Sequence, residues 1–359
     1  GSGYLKVASG MSNYGSLFLK SDGSLWGAGS YLGGADRYRD LEPRLLDAGP
    51  VTSHAIDGGG FRNFALWTHP DGSLWGVGTN NYGQFGDGNS TGHQVDPVQL
   101  ESSGVTAVSS GVRHTLIVKS DGSLWAAGNN DKGQLGDGST QTRPVRVKVV
   151  DANVTAAFAG ENFSLFLKTD GTLWGMGSNF AGQLGNGTTV DSLVPVQANI
   201  TNAASFSAQL YPSYVRKTNG SLWRSTGSGW EQVVDANVTA VESGREHTIF
   251  TKTDGSLWAI GSNSFGQLGD GSTTQRTTPV AVSGISNATQ VSAGQQHSCA
   301  RLSDSTVKCW GDNGNGRLGD GSTTIRTTPV AVSGISNATQ VSAGHNHSCA
   351  RLSDSTVKC

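Results

Sequence analysis

Val241-Glu-Ser-Gly-Arg-Glu-His247-Thr-Ile-Phe-Thr-Lys-Thr-Asp254-Gly-Ser-Leu-Trp-Ala-Ile260 holds three short strand patterns parted by two turns. Val241–Gly244 reads as a first strand, Arg245-Glu246 as a loop, His247–Thr251 as a second strand and Ser256–Ile260 as a third. Thr253-Asp254-Gly255 fits a three-residue hairpin loop whose last residue takes a positive φ, which glycine adopts without a Cβ clash. A Gly-rich connection, Gly261–Gly271, then leads to Pro279–Val282. Proline suits an outer strand there, because an edge need not donate every backbone hydrogen bond.

The same phrase recurs along the chain. Asp-Gly-Ser-Leu-Trp or a near variant begins at Asp22, Asp71, Asp121, Asp170, Asn219 and Asp254, with weaker forms at Asp304 and Asp354. The spacings are 49, 50, 49, 49, 35, 50 and 50 residues. A period near fifty marks an array of small sheets, each unable to bury its faces alone. Four antiparallel strands repeated radially make a β-propeller, so the fold class is all-β. Eight three-strand units but seven fourth strands can be counted, which leaves seven or eight blades open. The fifth unit is shortened and the last incomplete; residues 4–359 read as a single propeller domain, and residues 1–3 as a tail left by cloning.

Composition agrees. Gly is abundant, 52 of 359 residues, and charged residues are 14%, against roughly 25% in an average soluble protein. Many short strands joined by Gly-rich turns give this balance. A net charge of -2 with no basic run argues against nucleic acid, whose affinity comes largely from phosphate neutralisation. No apolar stretch approaches the ~18 residues that a membrane span needs.

Val-Ser-Ala-Gly-x-x-His-Ser at 291–298, the Asp-Gly-x-Leu-Trp phrases, and Gly-Gln-Leu-Gly at 133–136, 182–185 and 266–269 together resemble the regulator-of-chromosome-condensation repeat family. Variants of the last element stand at 83–86 and 316–319. The resemblance covers essentially residues 4–359 and implies a ring of blades, usually seven. Its members include a nucleotide-exchange factor, a plant light receptor, a β-lactamase inhibitor and many interaction modules, so fold does not dictate function.

Cys299 and Cys309 flank one hairpin turn, and Cys349 and Cys359 the same turn one period later. With Ser303-Asp304-Ser305 as the loop, counting back three pairs sets Cys299 opposite Cys309. Opposed residues have Cβ atoms about 4.5–5.5 Å apart, so a small adjustment reaches disulfide distance. In both hairpins serine, Ser305 or Ser355, replaces the turn glycine, and a cross-strand bond could offset that less favourable turn. Two pairs with no odd cysteine suggest an oxidising compartment, hence secretion or a cell surface; four reduced core thiols are the alternative.

Residues 271–309 and 321–359 are 39-residue copies that differ at three positions: Gln275 against Ile325, Gln295 against His345, and Gln296 against Asn346. Two of the three fall in the loop between the first and second strands, which should open on one face in every blade. Across the units these loops carry Tyr14, Phe61, Arg62, Asn63, Arg113, Glu161, Phe163, Tyr211, Arg245, Glu246, Gln295, Gln296, His345 and Asn346. Aromatic and arginine side chains dominate binding hot spots, and variation on a rigid scaffold is how recognition surfaces are organised. Free drift of exposed loops is the bland alternative. In the family's propeller-type β-lactamase inhibitor, the resemblance implies, the equivalent loops form the inhibitory surface.

Other features point away from chemistry. His114, His247, His297 and His347 recur at one repeat position without a recurring partner, as a hydrogen-bonding role at a strand start would require. The tryptophans at 26, 75, 125, 174, 223 and 258 read as core. His345 and His347 alone do not make a metal site, and Asp270-Gly271 lacks the ligand spacing of a calcium loop. No cofactor motif is present. The expectation is a non-enzymatic binding propeller, secreted or surface-displayed, that recognises a protein through these loops. A glycan-binding propeller is the alternative, and a guanine-nucleotide exchange factor a poorer one.

Overall fold

The computed structural model describes residues 4–9, 15–29, 43–51, 57–58, 64–90, 92–208 and 210–359. Each repeat begins from its turn. In the third repeat the Asp121 carboxylate accepts the Ser123 amide at 2.8 Å, and Gly122 donates to the Lys119 carbonyl at 2.9 Å with φ +76°. A Cβ on Gly122 would lie 2.7 Å from the Asn153 nitrogen, because the start of the following first strand presses against the turn. Val154 donates its N–H to the Gly122 carbonyl at 2.9 Å. Each turn thereby fixes where the next repeat begins. Asn153 and Asn237 enter those strands at φ 70° and 68°, a left-handed conformation that asparagine tolerates.

The strands form a β-propeller of eight antiparallel sheets, seven with four strands and the last with three, among the described residues. The count matches eight three-strand units with seven fourth strands. In the sixth sheet the strands are Val238–Ser243, His247–Lys252, Leu257–Gly261 and Arg276–Ala281, within a few residues of the sequence reading.

Two compact units divide the chain: Tyr14–Ala204 with Ser225–Glu231, and Gly1–Asn13 with Ser205–Arg224 and Gln232–Cys359. Inside the first, the second strand of the third sheet, His114–Lys119, explains why these strands read as continuous apolar runs. Ile117 packs into a cluster with Phe64, Leu66 and Leu100 of the preceding sheet, whereas Leu116 and Val118 join Phe166 and Met176 of the following one. Both faces of a middle strand are covered, so both are apolar. The second unit repeats the arrangement: Phe250 joins Tyr214 and Leu222, and Ile249 joins Val291 and Trp310. Tyr4–Ser9 lies beside Ala338–Ala343 and Ser348–Leu352 in that unit.

The recurrent tryptophans are half-buried, which corrects their reading as core. Trp125 donates its indole N–H to Ser123 Oγ at 2.9 Å, and the Lys119 ammonium lies 4.9 Å from its ring centroid. The same Ser–Trp–Lys stack recurs at Trp174, Trp223 and Trp258, with Thr172 in the serine role at Trp174. One face of each ring packs inward while the lysine stem covers the other.

Both disulfides form, Cys299–Cys309 and Cys349–Cys359. Cys299 stands opposite Cys309 in the register, with Cα atoms 4.1 Å apart. Ser305 and Ser355 each sit at φ 65°, the conformation glycine holds in the other turns.

Candidate protein-binding loops

In five repeats the loop between first and second strands is two residues long and its backbone is held the same way, whereas in the fifth repeat the strands Ala203–Ser207 and Tyr214–Lys217 stand six residues apart. Gly111, Gly160, Gly244, Gly294 and Gly344 donate to the carbonyls of His114, Phe163, His247, His297 and His347 at 2.8–2.9 Å. The carbonyl of the second loop residue accepts again, from Asn129 to Arg113, Ser178 to Asn162, Ser262 to Glu246 and Asp312 to Gln296, each at 2.9 Å. With backbone groups satisfied internally, the side chains are free to differ.

Below three of these loops a histidine ties its sheet to the next. His247 Nε2 lies 2.9 Å from Ser298 Oγ, and Ser298 Oγ donates to the Gln267 carbonyl at 2.9 Å. Because the serine proton goes to that carbonyl, the imidazole must be the donor, with its proton on Nε2. The His114–Ser164–Gln134 relay repeats this at 2.9 and 2.7 Å, and His297 reaches Ser348 Oγ at 2.8 Å. The Nδ1 atoms of His114, His247 and His297 are buried with no protein partner. A second proton there would be desolvated and unbonded, so burial pushes His114 down to about 3 and His247 to about 4, and His297 falls well below 6.5. A serine that spends its proton on a carbonyl, beside a histidine that donates, is no nucleophile–base pair. The hydrogen-bonding role expected from the sequence is the one observed.

Beside these loops, at the same end of the sheet, the Gly-Gln-Leu-Gly connection is built on a buried asparagine. Asn130 Oδ1 accepts the Leu135 amide at 2.9 Å, and Nδ2 donates to Asp137 at 3.0 Å and to the Ser139 carbonyl at 2.9 Å. Asp137 also receives Arg143 at 2.6 Å; Asp270 and Asp320 receive Arg276 and Arg326 in the same way. Those carboxylates are committed to loop structure. Among the described residues no group of three or more His, Cys, Asp or Glu is placed to hold a metal.

The proposed surface residues fall into distinct settings. Tyr14, Phe61, Arg62 and Asn63 lie outside the described residues. In the first unit Arg113 and Glu161 are half-buried, and the Arg113 guanidinium sits 5.0 Å over the Tyr82 ring, a partner that sequence reading missed. Phe163 is 1% exposed and packs against Phe158. It is the first residue of its strand, standing where other repeats place the histidine, and not a surface residue. In the second unit Tyr211 and Glu246 are exposed, and Arg245, Gln295, Gln296 and Asn346 half-buried. Leu210, Tyr211, Arg245 and Glu246 line one cleft of about 30 Å³, which joins two of the variable loops. That volume admits a water and no more, so any partner meets the loops from outside.

His345 is 9% exposed. It lies under Arg317, a cation that replaces the glutamine of other repeats and pairs with Asp312 at 2.9 Å while donating to the His345 carbonyl at 3.4 Å. Burial, with the Arg317 and Arg245 guanidinia, outweighs a hydrogen bond with Asn346 and holds the His345 imidazole below its ordinary value. Arg317 could have been found as the charged exception in a repeated Gly-Gln-Leu-Gly.

Comparison with known proteins agrees with this architecture. The Regulator of chromosome condensation (RCC1) repeat matches residues 71–118, 121–167, 170–208, 254–301 and 305–351. Protein RCC2 homolog of Xenopus laevis is 34% identical over 120 residues, 31% of this chain and 23% of that protein, so the match spans under a quarter of the relative. Human WBSCR16 superposes with a TM-score of 0.70 at 19% identity, covering 88% of this chain and 90% of that one. Prp20p from Saccharomyces cerevisiae gives 0.70 at 18% identity, covering 96% and 92%. At such identity the structures report the fold alone. The repeat matches cover more than half of the sequence, and the chain belongs to the regulator of chromosome condensation (RCC1) repeat family.

Proposed function

We propose that the chain is a protein-binding propeller that presents the side chains of the loops between first and second strands to a partner and performs no chemistry itself. The observation that carries this reading is the division of labour in those loops. Their backbone hydrogen bonds are alike from sheet to sheet, while their side chains range from Val112-Arg113 to Arg245-Glu246 and Gln295-Gln296. Tyr211, Arg245 and Glu246 supply an exposed aromatic ring and both charges around one cleft, the residue types that anchor protein interfaces. Prp20p, a structural relative, is described with its binding to Gsp1p and histones, and the yeast protein is also seen bound to Kap60. Those partners are proteins, which supports the general class and names no partner for this chain.

The location we infer is extracellular or surface-displayed. Two hairpin disulfides support it, since such bonds persist mainly in oxidising compartments. Differential alkylation of protein from its native source should find all four cysteines blocked before reduction; free thiols there would defeat the inference.

A photo-crosslinking residue at Tyr211 or Glu246 should join the chain to its partner. The same residue at Val194, 50% exposed on an outer strand, should not. Crosslinks confined to Val194 would move the surface away from the loops.

A further inference from the structure

Side chains join the first strands of adjacent sheets, and one junction is built differently from its copy. Val341 stands opposite Ala350 in a pair that exchanges no backbone hydrogen bonds, so its N–H and C=O point away from the second strand. Gln290 of the preceding sheet takes both: Oε1 accepts the Val341 amide at 2.9 Å, and Nε2 donates to the Val341 carbonyl at 3.2 Å. Two residues on, Ser292 Oγ accepts the Ala343 amide at 2.9 Å. Ser109 does the same for Ala159 at 3.1 Å.

One sheet earlier, Val291 stands opposite Ala300 with its backbone groups turned the same way. Here Ala240 occupies the position of Gln290, and Glu242 that of Ser292. An alanine methyl makes no hydrogen bond, so among the described residues no side chain takes the Val291 N–H or C=O. The Glu242 side chain reaches solvent, yet the protein packed around it desolvates the carboxylate and pushes it up to about 7, with no neighbouring charge or hydrogen bond to offset the shift. A carboxylate in such surroundings gains strongly from a cation that replaces its lost water.

We propose that this junction is a guanidinium site, which takes an arginine side chain of a partner polypeptide against Glu242 and the Val291 carbonyl. One N–H would go to that carbonyl, as the Gln290 amide goes to Val341, and others to the Glu242 carboxylate. The planar fork of a guanidinium spreads its donors over two acceptors, which the compact and more strongly hydrated ammonium of lysine does less well. The small Ala240 side chain leaves the room that Gln290 fills one sheet later. Glu242 lies two residues before Gly244, about 7 Å along the strand from the foot of the Arg245-Glu246 loop. A partner docked on the loops therefore has the site within an arginine's length. The polypeptide source rests on the partner reading above; the site itself does not.

The test titrates the whole chain with N-acetylargininamide and follows the backbone amides by NMR. Saturable millimolar binding is expected, with the Val291 and Ala293 amides shifting most. Glu242→Gln should weaken it at least ~10-fold, and Ala240→Gln, which installs the side chain present at 290, should abolish it. Circular dichroism checks that both variants remain folded. The neutral analogue N-acetylcitrullinamide should bind at least ~10-fold more weakly. Equal binding of the citrulline compound, unchanged affinity in either folded variant, or shifts confined to other carboxylates would overturn the site. Free arginine binding more tightly than the blocked amide would overturn the polypeptide source. No binding of the probe while crosslinks still form at Tyr211 or Glu246 would defeat this site and leave the partner reading intact.

Discussion

Replacing His247 by phenylalanine should make the protein less stable at neutral pH and more stable in mild acid. His247 donates one hydrogen bond, to Ser298 Oγ, and its Nδ1 is buried without a partner. Phenylalanine fits the frame, since Phe163 occupies the same repeat position at 1% exposure. At pH 7.5 the variant loses that bond, a net cost of about 1 kcal/mol, while Ser298 keeps its bond to the Gln267 carbonyl. The folded protein holds His247 near 4, below the 6.5 of an unfolded imidazole. Below 6.5 the unfolded chain therefore binds a proton that the folded chain refuses. Wild-type stability is complete above that value and falls as pH drops toward 4.

Each pH unit in that window removes about 1.4 kcal/mol, so at pH 5 His247 has cost the wild type about 2 kcal/mol. The variant escapes this loss. The two stability curves should cross near pH ~5.9, with the variant ahead by about 1 kcal/mol at pH 5. Urea unfolding followed by tryptophan fluorescence from pH 7.5 to 5 measures the difference. Ser298→Ala, which removes the acceptor but leaves Nδ1 orphaned, should lower stability without changing the pH slope. A wild-type-to-variant gap that stays constant across the range would refute the assignment of a neutral, Nε2-protonated imidazole. His114, held near 3, shares the geometry and should add about another 2 kcal/mol of loss by pH 5, and His297 acts in the same direction.

Asn130→Ala should cost about 2–4 kcal/mol in urea unfolding, because it strips three hydrogen bonds from a buried loop base and leaves the Leu135 amide unpaired; a loss below about 1 kcal/mol would show the loop held by other means. Mild reductant should open Cys349–Cys359 before Cys299–Cys309, since Cys359 is exposed and Cys309 fully buried. Timed alkylation with peptide mapping reads the order, and the reverse order would contradict it. Ser305→Gly should stabilise by about 0.5–1 kcal/mol, as glycine accepts φ 65° without the penalty a Cβ incurs. A lowered melting temperature would show that Ser305 contributes something beyond the turn.

What the sequence made legible was local. The turn glycines, the serines forced to positive φ and the facing cysteines follow from hairpin geometry and period, and each is found. What it hid depends on neighbouring sheets. Phe163 looked like a loop aromatic because it stands where histidine usually marks the strand start; the Gly160–Phe163 backbone bond makes it the first strand residue. The tryptophans looked like core because their spacing is regular, yet an indole N–H needs a partner, and Ser Oγ supplies one at the surface. Neither outcome is written within a single repeat.

The same distinction changes how the paired differences between the last two copies should be weighed. Gln295 and His345 occupy one loop position, but Arg317, which donates to the His345 carbonyl from the preceding repeat, stands where the earlier copy has Gln267. His345 is buried beneath Arg317, so its identity answers to that neighbour and to the Arg317–Asp312 pair. A partner protein is not needed to explain it. Asn346 in turn hydrogen-bonds His345, whereas Tyr211 and Glu246 are exposed in the chain's other loops. The recognition argument is therefore carried by the exposed side chains of Tyr211 and Glu246, the latter on a residue whose carbonyl is held by the Ser262 amide. Exchange of Glu246 for the Gln296 or Arg113 seen elsewhere should leave stability within about 0.5 kcal/mol, as expected of surface positions, while altering what the loop face can bind.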